Sequence, residues 1–339
     1  MTEVNWSRTD LIDESEQVVQ HQSKEKKRTL EKTAGVLMEE WDEQRVKIAR
    51  VSVNEEGEAQ IQKKAGIYTT LSIPSLTVED TEGLQQLEKV LTKHLKSLHD
   101  PLKLTKEDKI LVIGLGNKTI TPDAVGPVAI DSMQKHFEDE RNEQFIMYAP
   151  GVTGQSGFET KEFVEALVNK IKPGLVIVID ALATRSSERL CRTIQLTDTG
   201  IHPGSGVGNQ RAEISKESLG VPVTAIGIPT VVEATVLLAD AIDTVFRTIA
   251  GKIAEKNAPS SKLSVTPWQP SASTPIDYNL LKPIFGEWST WTKGDRVQLL
   301  QETFQNRERL IVTPKECDIW LMHYAMLVSN SLFRWIKAI

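Results

Sequence analysis

Short apolar runs rich in β-branched residues alternate with amphipathic segments through the middle of the chain. The runs at residues 110–113, 145–149 and 175–179 are typical of buried parallel strands, which are covered on both faces. Between them, residues 123–137 and 159–171 carry apolar side chains at helical spacing. Strands that alternate with helices over short links imply right-handed crossovers and a parallel sheet. The pattern therefore predicts a three-layer α/β/α fold with a parallel-rich central sheet.

Segments on either side of this region extend the prediction. Residues 45–53 alternate between apolar and polar, and residues 66–73 are similar, so both are predicted to be strands. Leucine and valine at helical spacing predict an amphipathic helix over residues 78–98. Beyond the central region, we expect residues 190–196 to add an edge strand and residues 223–229 to form another buried strand.

The last third of the chain begins with a long apolar helix, which we expect Thr230 to cap and which reaches about residue 250. Residues 256–275 are rich in serine and proline, a composition that predicts a linker or flexible excursion. Residues 276–339 are predicted to form a helical segment packed on the core. Its last helix should start after Pro314, because proline cannot continue a helix.

Composition and charge narrow the class of protein. The chain has 339 residues, 40% hydrophobic and 25% charged, a mix that suits a globular protein with a sizeable core. Its net charge of −6 provides no overall cationic field, so direct nucleic-acid binding is not expected. Cys191 and Cys317 form no C-x-x-C zinc motif, and Cys191 is expected to be a small core residue within a strand. Since no apolar signal core or membrane span is evident, we expect a cytoplasmic protein.

Two aspartates are the main candidates for chemistry. Asp180 ends the predicted strand at residues 175–179, and Asp123 begins the helix that follows the strand at residues 110–113. Because the carboxyl ends of parallel strands meet at one edge, both carboxylates should leave the same edge of the sheet. Two nearby carboxylates cannot both ionise at low cost, so one keeps a proton while the other can take one from water. Such a pair suits acid–base hydrolysis of a peptide bond without a cofactor.

Each aspartate also has a structural interpretation, and the pair allows a second chemistry. Asp123 follows a proline, where aspartate commonly caps a helix, and Asp180 could simply bond the amides of the next turn. With His202 as a third ligand, the same pair could instead hold a divalent metal. His202 is otherwise expected to be structural, because a Pro-Gly turn follows it directly.

Other motifs carry less information about chemistry. The glycine turn after residue 113 lacks the third glycine of a dinucleotide site, and two glycine-rich serine segments each lack one glycine of the nucleophile elbow. Arg185 follows Asp180 closely and could contact an acidic side chain of a substrate. The candidate substrate-binding residues are therefore Arg185, His202 and Asn117, the last of which lies in the glycine turn.

Several motifs in order along the chain resemble those of the germination protease, or spore protease, of endospore-forming bacteria. The motifs are Gly114-Leu-Gly-Asn117, Thr121-Pro-Asp-Ala-Val-Gly-Pro127, Pro150-Gly-Val-Thr-Gly154, Val178-Ile-Asp-Ala-Leu-Ala183, Asp198-Thr-Gly-Ile-His-Pro-Gly-Ser-Gly-Val-Gly-Asn209 and Ile226-Gly-Ile-Pro-Thr-Val-Val232. The resemblance implies an atypical aspartic endopeptidase that opens the degradation of small acid-soluble spore proteins during germination, in the forespore and spore core. It matches the family's two essential aspartates to Asp123 and Asp180. The sheet and first glycine turn are also similar to those of hydrogenase maturation proteases.

The resemblance further implies a zymogen that trims itself and works as a homotetramer. The family's trimming site is a threonine, an acid and then an apolar residue, and the segment Arg8-Thr-Asp-Leu11 fits it. We therefore predict cleavage between Asp10 and Leu11. Residues 1–10 would be the propeptide and residues 11–255 the catalytic core.

Two alternative hypotheses stay open from the sequence. The first is a metal-dependent peptidase of the hydrogenase-maturation type that uses Asp123, Asp180 and His202. The second is a non-catalytic binding module on the same fold, which would show no self-trimming.

Overall fold

The structure, a computed structural model, describes most of the chain. The described residues are 34–61, 63–137, 144–151, 160–203, 212–254, 277–304 and 310–339. The predicted cleavage site at Asp10 and Leu11 and the predicted linker at residues 256–275 lie outside the described residues. The division into propeptide, core, linker and C-terminal segment therefore stays a prediction.

The strands of the described residues form one mixed sheet. In chain order they are β1 (Val36–Glu43), β2 (Val46–Val53), β3 (Gly66–Ser72), β4 (Ile110–Gly114), β5 (Phe145–Tyr148), β6 (Leu175–Thr184), β7 (Thr193–Thr197), β8 (Val223–Glu233) and β9 (Ile311–Val312). Their order in space is β1-β2-β3-β7-β8-β6-β4-β5, and β9 pairs with β8.

The helices of the described residues surround or follow this sheet. In chain order they are α1 (Glu55–Ile61), α2 (Thr81–His99), α3 (Val125–Phe137), α4 (Thr160–Ile171), α5 (Lys216–Leu219), α6 (Ala234–Ala254), α7 (Lys282–Phe285), α8 (Lys293–Thr303) and α9 (Cys317–Ile336). The last helix starts after Pro314, as predicted. Among the helices described, none combines the length and the apolar character that crossing a membrane requires.

The parallel part of the sheet contains β5, β4 and β6, which pair in register. The chain leaves β4 through α3 to reach β5 on one side, and returns through α4 to β6 on the other side. Strand order therefore changes direction between β4 and β6, and ligands of open α/β sheets bind at such a switch point, beyond the carboxyl ends of the strands. The predicted α/β class with parallel strands at its centre is confirmed.

The other part of the sheet is antiparallel. β1, β2, β3 and β7 pair as antiparallel neighbours, and β7 continues this arrangement onto β8. The predicted strands at residues 45–53 and 66–73 are confirmed as β2 and β3. Strand β1 was not predicted, because acidic residues at positions 39, 40, 42 and 43 interrupt the apolar pattern of Val36–Glu43.

Two predictions about strand positions are wrong. The segment predicted as an edge strand at residues 190–196 forms β7, which lies inside the sheet because β3 covers its outer side. Cys191 is buried, as expected, but it precedes β7 at a turn with φ +53°, and its N–H donates to the Pro229 oxygen at 2.7 Å. The alternation of apolar and polar residues within a segment does not show which strand will lie beside it. It also does not show where the backbone turns with a positive φ.

Thr230 does not cap a helix, contrary to the prediction. β8 continues through Thr230 to Glu233, and helix α6 begins only at Ala234. The β-branched run after Pro229 favours an extended backbone. The far end of β8 also pairs with β9, where Val232 lies opposite Val312.

Alternate side chains of the central strands pack against helices on the two faces. Val112 and Ile177 belong to a cluster with residues of α2, α3 and α9, whereas Ile113 and Val178 pack with Val164 of α4. Because successive strand residues point to opposite faces, both faces of the sheet are apolar and covered. This gives the three layers that the sequence predicted.

Contacts among the described residues divide the chain into two compact units. The first contains residues up to Val231 together with Thr313–Ile339, and the second is Val232–Val312. Within the second unit, Phe246, Ala250 and Leu281 form a separate buried cluster. The sheet edge that carries Asp123 and Asp180 belongs to the first unit.

Candidate active site

Both predicted aspartates lie at the carboxyl edge of β4 and β6. Ile113 pairs with Val178 and Gly114 with Ile179. The last residue of β4 therefore lies opposite the residue that precedes Asp180 in β6. The chain then turns, and a 3₁₀ turn at Thr121–Asp123 leads into α3. This turn contacts β6. Asp123 and Asp180 therefore leave the same edge of the sheet, at the switch point between two parallel neighbours.

Three glycines allow the start of α3 to lie directly on the strand ends. A Cβ at Gly114 would overlap the oxygen of Gly126, and a Cβ at Gly116, where φ is +115°, would overlap the oxygen of Asp123. A Cβ at Gly126 would lie 2.6 Å from the oxygen of Ile179, the residue before Asp180. Backbone therefore packs on backbone here, which only glycine permits.

Asn117 holds the carboxylate of Asp123 through its backbone. The Asn117 N–H donates to Asp123 Oδ2 at 2.7 Å. The side-chain oxygen of Asn117 accepts bonds from the Thr119 N–H at 3.0 Å and the Thr119 hydroxyl at 2.7 Å. The structure thus brings Asn117 to Asp123, with the Asn117 backbone orienting the carboxylate and its side chain stabilising the loop.

Asp180 was predicted to end its strand, but β6 continues to Thr184, and Asp180 is buried within it between apolar residues. Its exposed fraction is 5%, and its Oδ1 accepts a bond from the Ala181 N–H at 2.9 Å. Asp123 is half-buried. A carboxyl group that is removed from water needs polar partners, and burial of this kind is common at catalytic sites.

Thr230 is a residue of this edge that the sequence did not indicate as functional. Its hydroxyl donates to the oxygen of Pro122, the residue before Asp123, at 2.6 Å. Its own carbonyl oxygen accepts a bond from the Thr313 hydroxyl at 2.9 Å. The only available signal was its position within the segment Ile226–Val232, one of the motifs that carry the family resemblance.

Arg185 lies at the same edge but farther from the aspartates. It is half-buried and directly follows the end of β6 at Thr184. At roughly 3.3 Å per residue of extended chain, its Cα is about 16 Å from that of Asp180. Its role as a cationic subsite stays a prediction.

His202 is not brought to the aspartates. Thr197 at the end of β7 pairs with Ala225 near the start of β8, and the Val176 N–H at the start of β6 donates to the Pro222 oxygen at 2.9 Å. The chain that leaves β7 therefore emerges at the amino edge of β6, opposite the edge that carries Asp180. There His202, 51% exposed, has its Nε2 3.7 Å from Glu213 Oε1. The predicted set of Asp123, Asp180 and His202 does not assemble at one edge.

The arrangement provides two carboxyl groups of different burial at the edge where open α/β sheets usually bind ligands. Within the described ranges, no three or more His, Cys, Asp and Glu side chains are grouped so that they could hold a metal ion. What this edge offers chemically is acceptance and donation of protons by carboxyl groups, with backbone N–H groups that fix their orientation.

Comparisons with known proteins agree over nearly the whole chain. A model of the germination protease family matches residues 12–337. The germination protease of Halalkalibacterium halodurans is 37% identical over 342 residues, which cover 96% of this chain and 92% of that protein. Those of a Geobacillus species and of Bacillus cereus are 36% and 35% identical, with the same coverage.

Among solved structures, a partial match is to a [NiFe] hydrogenase maturation protease from Thermococcus kodakarensis. The match has a TM-score of 0.29 and 16% sequence identity, and it covers 40% of this chain and 80% of that one. The family match and the relatives above decide the assignment: this chain belongs to the germination protease family and is a peptidase that acts in germination.

Proposed function

We propose that the protein is an endopeptidase that opens the degradation of small acid-soluble spore proteins during germination, in the forespore and spore core. Asp123 and Asp180 would be its catalytic pair. The observation that carries the proposal is their position at the carboxyl edge of β4 and β6, where the turn that bears Asp123 contacts β6. Membership of the germination protease family supports the substrate class.

In the proposed reaction, one carboxylate takes a proton from a water molecule while the other, protonated, donates to the carbonyl oxygen of the scissile peptide. The water oxygen then bonds to the carbonyl carbon, which gives a neutral tetrahedral intermediate. The C–N bond breaks when the nitrogen receives a proton, and the new carboxyl and amine products leave. Proton transfers by positioned groups typically accelerate such steps by about 10² to 10⁴.

The same chemistry would convert a zymogen into the mature protein. Cleavage between Asp10 and Leu11 would remove residues 1–10 and leave Leu11 as the new N-terminus. The acid before the cleaved bond favours a cationic subsite in the enzyme. Arg185 is the proposed side chain, and an Arg185→Ala variant should lose the preference for an acidic residue at this position of the substrate.

Separate Asp123→Asn and Asp180→Asn variants test the proposed pair. Asparagine keeps the size of the side chain but can neither take nor release a proton at neutral pH. We expect kcat for cleavage of a purified small acid-soluble spore protein to fall by about 10² to 10⁴ in each variant. Self-trimming at Leu11, followed by N-terminal sequencing, should also stop.

Asp100→Asn is the matched control, because Asp100 is an exposed acid that pairs with Lys96 at the end of α2. Its activity should equal that of the unaltered protein. Full activity in either Asp123→Asn or Asp180→Asn would remove that residue from the mechanism. A new N-terminus at any residue other than Leu11 would refute the cleavage site.

A further inference from the structure

We propose that Thr230 is a positioning residue for Asp123, and this inference rests on the proposed function of the aspartate pair. The hydroxyl of Thr230 joins strand β8 to the turn that carries Asp123, through the bond to the Pro122 oxygen at 2.6 Å. Thr230 is 2% exposed. It acts through the backbone of the turn rather than by contact with substrate.

The strand order shows what the bond between Thr230 and Pro122 connects. The turn at Thr121–Asp123 starts from β4, whereas Thr230 lies on β8, and β6 with Asp180 lies between these two strands. The chain after the turn also rests on β6, since Gly126 lies against the oxygen of Ile179. The turn is therefore held over the end of β6 by contact with β6 itself and by the hydroxyl of Thr230. Thr230 lies on β8, which pairs with β6 on the side away from β4.

The Thr230 bond is well placed to be rigid. Thr230 is buried, so little water can compete for its hydroxyl, and an unpaired buried hydroxyl would be costly. The backbone oxygen of Thr230 accepts from the Thr313 hydroxyl at 2.9 Å, which links the segment before α9 to the same point of β8. The carbonyl of Pro122 belongs to the planar peptide group that ends at the nitrogen of Asp123, so its displacement is passed on to Asp123.

Loss of this hydroxyl should therefore change the position of Asp123 relative to Asp180. A misplacement of about 1 Å in a catalytic group can lower a rate by about 10²-fold. Because Thr230 is buried and does not meet the substrate, KM should stay nearly constant while kcat falls. A purely structural role would lower thermal stability without this separation of kcat from KM.

The test compares Thr230→Val, which removes the hydroxyl at nearly constant volume, with Thr230→Ser, which retains it. We expect kcat of Thr230→Val to fall by about 10- to 100-fold with KM within about twofold. Thr230→Ser should recover most of the lost kcat. Cleavage of a purified small acid-soluble spore protein and thermal unfolding are measured for every variant.

Thr224→Val is the matched control on the same strand. Thr224 is also 2% exposed, and its hydroxyl lies 2.9 Å from His99 Nε2, near the opposite end of β8. This variant should lose stability to a similar extent but keep its kcat. If Thr230→Val does not fold, Thr230→Ala and Thr230→Ser are compared at a temperature at which both are folded, and the serine variant should have the higher kcat.

Equal kcat in Thr230→Val and Thr224→Val, or equal kcat in the alanine and serine variants, would overturn the inference. Asp123→Asn and Asp180→Asn are measured in the same assay to separate the two levels of the hypothesis. If both aspartate variants are inactive while Thr230→Val is fully active, only the positioning role fails. If an aspartate variant is active, the proposed catalytic pair fails instead.

Discussion

Gly116 determines how closely the loop after β4 can approach Asp123. Its φ of +115° is unfavourable for any residue with a side chain, and a Cβ would overlap the Asp123 oxygen. The next residue, Asn117, donates its N–H to the Asp123 carboxylate at 2.7 Å. The position of the Asp123 carboxylate therefore depends on Gly116, a residue without a side chain that could take part in the reaction.

We predict that Gly116→Ala will lower both stability and activity. The substitution combines backbone strain with a displacement of Asp123, and should cost about 1–3 kcal/mol in the free energy of unfolding. Peptidase activity should fall by more than this loss of folded protein explains. Denaturant unfolding and kcat measured on the same preparation check both parts.

Gly220→Ala is the control for backbone strain alone. Gly220 also has a positive φ, +73°, but nothing lies within 4 Å of a Cβ placed there. This variant should lose about 1 kcal/mol and retain its kcat. A Gly116→Ala variant with the same stability and activity as Gly220→Ala would contradict the close approach to Asp123.

At the scale of elements, helix α2 carries two buried histidines, His94 and His99, on the side that faces the sheet. Burial, and then the positive charge of Arg50, lower the pKa of His94 to about 4. Burial lowers the pKa of His99 to about 3, although nearby Asp100 acts in the opposite direction. Both histidines are therefore neutral in the folded protein at neutral pH.

These shifts predict that acid weakens the packing of α2. A histidine with a lower pKa in the folded state than its ordinary 6.5 binds fewer protons there than in the unfolded chain. The stability that neutral His94 and His99 contribute is therefore fully present above pH 6.5. It is lost as the pH falls toward their folded-state pKa values of about 4 and about 3. For His99 the loss between pH 7 and 4 should be about 3 kcal/mol.

The measurement is denaturant unfolding between pH 7 and 4 for the unaltered protein and for His99→Gln. The variant should be less stable at pH 7, because its bond to Thr224 and its contact with the Trp335 ring, 4.4 Å away, are altered. Its stability should change less with pH, by about the amount that His99 contributes. Parallel pH curves for the two proteins would show that His99 does not titrate in this range.

For the molecule as a whole, family resemblance leads us to propose a homotetramer. Some large apolar side chains stay exposed in the described part of the chain, such as Met322 and Met326 of α9, at 49% and 50%. Subunit contacts commonly cover surface of this kind. Most of α9 is nevertheless internal core, since Trp320, Leu327 and Trp335 are buried.

We predict a mass in solution of about four times the 37.8 kDa of one chain. Light scattering coupled to gel filtration at several protein concentrations measures this mass directly. The mass after trimming should fall only by the four propeptides, because residues 1–10 are a small part of each chain. A mass equal to one chain at all concentrations would exclude the tetramer.

The sequence by itself determined the strands of the parallel region, since β4, β5 and β6 are local apolar runs with turns at both ends. Together with the rule that parallel strands share a carboxyl edge, this was enough to predict that Asp123 and Asp180 lie on one side of the sheet. The motif string was enough to indicate the family. These features are local, so the order of residues encodes them directly.

Only the tertiary structure decided which strands are neighbours, because pairing depends on contacts between segments far apart in the chain. It placed β7 inside the sheet, and it carried the chain beyond β7 to the edge opposite Asp180, which separates His202 from the aspartates. It also extended β8 through Thr230 and so brought a hydroxyl to the backbone beside Asp123. The preference of a short segment for helix or strand does not depend on residues more than 100 positions away in the chain. The bond between Thr230 and Pro122 joins two such distant residues.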